Sequence, residues 1–161
     1  GETDGKDYFF VSQEKFKQMI EEEQLIEYAQ YVNHYYGTPK EYVLRQMAEG
    51  KDVILEIEIQ GALAIKRQFS NALLLFVLPP SAQELKRRLV GRGTESLDVI
   101  EARLRRAFDE AEGMDSYDYI LVNDDVDACV EDMHELIKAQ HLRVCHNLDF
   151  IEQIREELKH V

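Results

Sequence analysis

From residue 50 onward, short apolar runs suited to strands alternate with stretches of helical periodicity, and this alternation limits the fold more than any other feature. Asp52 to Ile59 is apolar and β-branched apart from Glu56 and Glu58. It predicts a buried strand whose period of two sets both carboxylates on one face. A helix over Gln60 to Phe69 follows. Ala72 to Leu78 is an uninterrupted apolar run, as in a strand covered on both faces, and Pro79-Pro80 ends it because proline has no N–H for a ladder. Ser81 and Glu84 then have the spacing of a capping box ahead of Leu85 and Leu89. Tyr117 to Val122 reads as the next strand and Asn123-Asp124-Asp125 as a turn. Val126, Val130, Met133 and Ile137 mark the inner face of a closing helix. Strands separated by helices pair in parallel, so an α/β sheet flanked by helices is expected.

The first fifty residues have a different pattern. Asp7 to Val11 is aromatic and predicts a strand. Ser12 is placed to cap a helix carrying Phe16, Met19 and Ile20. Leu25 to Tyr31 and His34 to Tyr36 predict a short antiparallel hairpin turning at Val32-Asn33. Thr38-Pro39 is a cap and first-turn signal for a helix that should stop at Gly50. Further on, Gly91-Arg92-Gly93-Thr94 breaks the helix begun at Ser81, and Ser96 opens a longer one with an apolar stripe of Ile100, Leu104, Ala107, Phe108 and Ala111. From Asn147, the positions Leu148, Ile151, Ile154 and Leu158 predict a terminal amphipathic helix, suited to docking or to pairing with a second subunit. No repeat, low-complexity tract or linker divides the 161 residues, so one folding unit is expected.

Charge and composition exclude several functions. The formal net charge of -13 repels polyanions and argues against nucleic-acid binding. No apolar run approaches the roughly 20 residues that span a bilayer, and no secretory leader is visible, which leaves the cytoplasm as the expected compartment. Cys129 and Cys145 lack a CxxC spacing and read as free thiols, and the five histidines show no metal-ligand spacing. Within this acidic chain, residues 86–106 hold seven cations (Lys86, Arg87, Arg88, Arg92, Arg103, Arg105, Arg106) against three acids (Glu95, Asp98, Glu101), a local balance of +4. Such an island suits either a small anionic ligand or a solvated helix face.

Five segments in order decide between those readings: Gly5-Lys6-Asp7-Tyr8-Phe9-Phe10-Val11-Ser12, preceded by Gly1-Glu2; Tyr35-Tyr36-Gly37-Thr38-Pro39; Leu55-Glu56-Ile57-Glu58-Ile59-Gln60-Gly61; Gly91-Arg92-Gly93-Thr94-Glu95; and Val122-Asn123-Asp124-Asp125. Together they resemble the guanylate kinase (GMP kinase) family from residue 1 to about 145. The resemblance implies an α/β core of P-loop type with a parallel sheet, a small β-rich GMP-binding subdomain near residues 2–50, and core segments at 51–90 and 98–145. It implies a mobile lid at 91–97, and leaves 146–161 as the terminal helix. The family begins with a glycine-rich phosphate loop ending in Gly-Lys-Ser/Thr, then a segment with two arginines for the GMP phosphate. No GxxxxGK[ST] occurs in these 161 residues, and Gly1 to Lys6 has the wrong spacing. A truncation, a segment left out of the sequence or a fragment is expected rather than an evolved loss, and the chain as it stands should bind GMP poorly and transfer phosphate negligibly.

The resemblance also implies roles. Glu27 would accept guanine N1–H and the N2 amino group, and Thr38 would reach the O6 or N7 edge; without the motif, Glu27 would read as a solvent-facing strand residue and Thr38 as a cap. Tyr8 and Tyr36 would contact the GMP phosphate, against a packing role for aromatic strand residues, with Gly37, Glu56 and Gly61 completing the GMP site. Arg88, Arg92 and Arg103 would serve catalysis by neutralising the transferred phosphoryl group. Arg92 and Asn123 would bind ATP, Asn123 at adenine. No residue is expected to bind metal directly. Mg²⁺ would enter with ATP, and Glu56 would reach it through water, unless Glu56 and Glu58 form a structural network instead. The implied activity is transfer of the γ-phosphoryl of ATP to GMP, giving ADP and GDP. The alternative is a non-catalytic guanylate-kinase-like module that holds phosphorylated protein partners.

Overall fold

The structure is a computed structural model that describes residues 3–31, 34–91, 93 and 96–161. The chain divides into two compact units, Gly1–Ser70 and Asn71–Val161. The boundary falls beyond the expected subdomain at 2–50 and keeps the helix after Glu58 with the hairpin.

The first unit holds α1 (Gln13–Glu21), β1 (Leu25–Tyr31), β2 (His34–Pro39), α2 (Lys40–Ala48) and α3 (Ile59–Gln68). Ser12 caps α1 as predicted, its Oγ accepting the Lys15 N–H at 3.1 Å, and Phe16 is the buried residue of that helix. The strands pair antiparallel, with Glu27 opposite Thr38, Tyr28 opposite Gly37 and Ala29 opposite Tyr36. The turn predicted at Val32-Asn33 lies outside the described residues. An irregularity between Leu25 and Glu27 inserts Ile26 as an extra residue, which lets Leu25, Ile26 and Glu27 all be buried in succession. The cap of α2 is Pro39 rather than Thr38, and Gly50 follows its end in a left-handed conformation, φ 78°. Helices α2 and α3 pack on β1.

Two predicted strands are absent from this unit. Asp7 to Val11 is mostly a loop. Asp4 and Tyr8 form an isolated bridge across Gly5 (φ 74°), and the loop is pinned by the Asp7 and Asp4 carboxylates, which accept the N–H groups of Thr3 and Phe10 at 2.8 Å each. Asp52 to Glu58 runs into the start of α3 without strand pairing, and Ile54 is 69% exposed. A β-prone run becomes a strand only when a neighbour accepts and donates along it, and none does among the described residues.

The second unit contains β3 (Leu75–Leu78), α4 (Ala82–Gly91), α5 (Leu97–Ala111), β4 (Tyr119–Val122), α6 (Val126–His141) and α7 (Leu148–Leu158). Its strands pair in parallel from Leu75 opposite Tyr119 to Leu78 opposite Val122, so the α/β expectation holds. The Asp118 carboxylate accepts the Leu74 N–H at 2.9 Å, and Leu74 and Leu121 lie in the core. Coverage on both faces does not hold, because Val77 is exposed.

Two helix faces also differ from prediction. On α5, Ile100 is buried but Phe108 is 66% exposed. On α6, Val126 and Val130 are exposed while Cys129 is buried and Met133, Leu136 and Ile137 are partly covered, a stripe turned by about one position. Asp125 caps α6 by accepting the Ala128 N–H at 2.9 Å. The terminal helix forms as expected, and the Asn147 amide ties its start to the carbonyls of His141 and Arg143 at 2.7 and 2.8 Å. Both cysteines are free; Cys129 is buried and Cys145 partly so. No described helix is long and apolar enough to cross a membrane.

Candidate active site

In the first unit one side chain stands out chemically: Glu27 is only 8% exposed, the one buried charged residue among those described. A carboxylate withdrawn from water needs hydrogen-bond donors. Thr38, directly opposite in the ladder, provides one, its Oγ1 donating to Glu27 Oε1 at 2.7 Å. The cap predicted at Thr38 is therefore replaced by a cross-strand contact. An ionised carboxylate has about four acceptor sites, so this bond leaves capacity on both oxygens.

Unbroken pairing from the turn to Glu27 sets its face, and beyond it the carbonyl of the extra residue Ile26 accepts the Gln68 side-chain amide of α3 at 3.0 Å. Gln68 and the bulge carry no motif, and the sequence reading missed both. The only available signal was three consecutive residues that a strict alternation cannot bury together. Thr38 and Tyr36 are two residues apart and so share a face. Tyr8 meets Tyr36 edge to face, centroids 6.1 Å apart at 69°, and both rings are half-exposed. Tyr35 points the other way and stacks on Phe16 at 5.3 Å.

The glycines of the site work through space. A Cβ on Gly37 would stand 2.9 Å from the Glu27 carbonyl oxygen, 3.0 Å from Phe16 Cζ and 3.1 Å from Leu25 Cδ1. A Cβ on Gly61 would stand 3.0 Å from Glu27 Oε2. Glu27, Tyr8, Tyr36, Gly37, Thr38 and Gly61 are thus joined by contacts or register, whereas Glu56 is exposed in the extended segment before α3.

The guanylate kinase family model matches residues 1–140. The chain belongs to the guanylate kinase family. It is 50% identical to the guanylate kinase of Caldanaerobacter subterraneus subsp. tengcongensis over 98% of this chain and 76% of that protein. It is 51% identical to that of Oceanobacillus iheyensis over 89% and 69% respectively. The crystal structure of guanylate kinase from Anaplasma phagocytophilum superposes with a TM-score of 0.75 at 29% identity, covering 91% of this chain and 71% of that one. The likeness to the first relative takes in the terminal helix, which the sequence motifs had left unassigned.

The arginines singled out in this guanylate kinase family member, Arg88, Arg92 and Arg103, fall in its second unit. On α4, Ser81 Oγ accepts the Glu84 N–H at 3.1 Å, half of the predicted capping box. The Glu84 carboxylate does not complete the box; it binds Arg87 through two contacts of 2.6 Å and Arg88 Nε at 2.6 Å. These bonds, Arg87 first and Arg88 next, hold the Glu84 carboxyl down at about 2. Arg88 also donates from Nη1 to the Asn123 carbonyl at 2.7 Å and from Nη2 to the Asp124 carbonyl at 3.4 Å. Its fork is committed to protein acceptors and ties α4 to the turn after β4. Asn123 is anchored by its own N–H, which donates to the Leu78 carbonyl at 2.8 Å. Arg103 lies exposed on α5. Arg92, Thr94 and Glu95 of the lid motif lie outside the described residues, as do Gly1 and Glu2. Gly93, between them, has φ 63°, a conformation that favours glycine.

Proposed function

We propose that this protein transfers the γ-phosphoryl group of ATP to GMP, giving ADP and GDP. The buried, Thr38-held carboxylate of Glu27 carries this reading. Guanine presents N1–H and an amino group side by side, and one carboxylate with acceptor capacity on both oxygens matches that pair; adenine lacks it. Tyr8 and Tyr36 donate phenol hydroxyls to the GMP phosphate from the same face. The GMP phosphate oxygen attacks the γ-phosphorus in line as the bond to the ADP oxygen breaks, with no covalent enzyme intermediate. Arg88, Arg92 and Arg103 neutralise the charge on the group in flight, and Arg92 and Asn123 hold ATP. For Arg88 this requires exchange of at least one present acceptor for a phosphate oxygen.

Mg²⁺ carried by ATP needs few protein ligands. Glu56, exposed ahead of α3, is open to water-mediated contact with the ion. The ion, when bound, supplies further charge neutralisation. In this reading residues 2–50 form the GMP-binding part, 51–90 and 98–145 the core and 91–97 the lid. The helix at 146–161 is a surface for self-association, and the protein acts in the cytoplasm.

The test is ADP release with MgATP and GMP, AMP, UMP or CMP, using the protein extended by the family's glycine-rich phosphate loop. GMP-selective turnover is expected. Glu27→Ala should lower kcat/KM for GMP by on the order of a hundredfold or more, since truncating one partner of a buried charged hydrogen bond costs about 2–5 kcal/mol. The 161 residues alone should turn over negligibly. Absence of turnover by the extended, folded protein with every acceptor would replace this reading with the phosphoprotein-binding module.

A further inference from the structure

We infer that Gly61 is a positioning residue for guanine selectivity, its missing side chain leaving the room that lets the Thr38-anchored Glu27 carboxylate present both oxygens to the base. The inference rests on the GMP reading of Glu27.

Backbone geometry does not require glycine at 61. The positive-φ glycines are Gly5, Gly50 and Gly93, and Gly61 lies in the first turn of α3 with ordinary helical backbone. Glycine weakens a helix relative to alanine, so propensity argues against it there. What argues for it is space. Gly61 is buried, and a Cβ would stand 3.0 Å from Glu27 Oε2 and 3.4 Å from Ile57 Cδ1.

The carboxylate would have to yield by a few tenths of an ångström, and it is not free to do so without loss. Its other oxygen is fixed to Thr38 at 2.7 Å, and the stem is buried on β1 beside the bulge that Gln68 of α3 holds in place. A methyl at 61 therefore forces a choice between the Thr38 bond and the present setting of Oε2. The two donors of guanine are parallel and fixed in one plane, so a small rotation that spares one bond weakens the other. On this view Thr38 and Gly61 set the carboxylate from its two sides: Thr38 by attraction, Gly61 by absence.

Inosine monophosphate separates this role from a merely structural one, because it keeps N1–H and lacks the 2-amino group. In the loop-extended protein, kcat/KM is measured for GMP and IMP at saturating MgATP, together with KM for ATP. Gly61→Ala should lower the GMP:IMP ratio about tenfold with KM for ATP unchanged. An equal fall for both substrates, leaving the ratio intact, would overturn the inference. Should Gly61→Ala fail to give a cooperative melt, Thr38→Val answers the same question from the other side. The ratio should collapse and return in Thr38→Ser; an unchanged ratio in Thr38→Val would overturn the two-sided clamp. A parent protein that phosphorylates no GMP would refute the underlying activity, and the inference with it, before any variant is scored.

Discussion

Glu27 and Glu84 are both glutamates whose carboxylates accept hydrogen bonds from side chains, yet they belong to two kinds of structure. Glu27 takes its donor from eleven residues away, across a strand pair, and is buried. Glu84 takes its donors from three and four residues along the same helix, and its partner Arg87 stands largely in water. The first arrangement exists only when the hairpin has formed in one register; the second needs a single helical turn. The contrast is a division between a carboxylate fixed by tertiary structure and one fixed by a single helical turn, whose partner Arg88 alone reaches further, to the Asn123 and Asp124 carbonyls.

If that division is right, disturbing the hairpin should matter most. Gly37→Ala puts a methyl 2.9 Å from the Glu27 carbonyl oxygen, a backbone atom that moves only with its strand. We expect a loss of about 1–3 kcal/mol in urea unfolding, typical of overpacking, with weaker GMP binding alongside. An alanine accommodated at no loss would show the hairpin to be softer than its geometry suggests. Arg88→Ala comes next. Losing a charged donor to the Asn123 and Asp124 carbonyls, at a partly exposed site, should lower stability by about 1 kcal/mol. Arg88→Lys keeps the charge without the fork and should not restore it. Full rescue by lysine would mean that charge, not the tie between α4 and the turn, is what Arg88 contributes.

The smallest effect should be that of Glu84→Gln. The Glu84 carboxyl is lowered from 4.5 to about 2 in the folded protein, so its stabilising contribution is complete above about pH 4.5 and disappears as pH falls toward 2. Unfolding midpoints followed across that window should decline less steeply in the variant, and the difference should shrink in high salt because the pair is exposed. A variant with the same acid profile as the parent would remove Glu84 from the account of acid stability.

The features read correctly from sequence are those fixed by near neighbours. Ser12 and Ser81 each accept the N–H three residues on, and the hairpin appears because two β-prone runs are separated by two residues. The misread features depend on what lies elsewhere. Asp52 to Glu58 has strand composition, but composition cannot provide the neighbour that turns an extended chain into a strand. On α6, periodicity placed Met133 and Ile137 on the covered side but took Val126 and Val130 in place of Cys129, one position away. For the candidate site, motif resemblance nominated Tyr8, Glu27, Tyr36, Gly37, Thr38 and Gly61, which contacts or register join in the first unit. It could not say that Thr38 donates to Glu27, that a Cβ at Gly61 would crowd Glu27 Oε2, or that Arg88 is engaged by main-chain carbonyls.

The bulge at Ile26 has a consequence for what can be lost from this strand without losing the acid. Pairing runs without a break from the turn to Glu27, so Glu27 would stay opposite Thr38 even if the extra residue were deleted. What a deletion would remove is the carbonyl that the Gln68 amide of α3 grips. The strand's register is thus inherited from the turn, and its tether to α3 rests on the one residue that the ladder does not use.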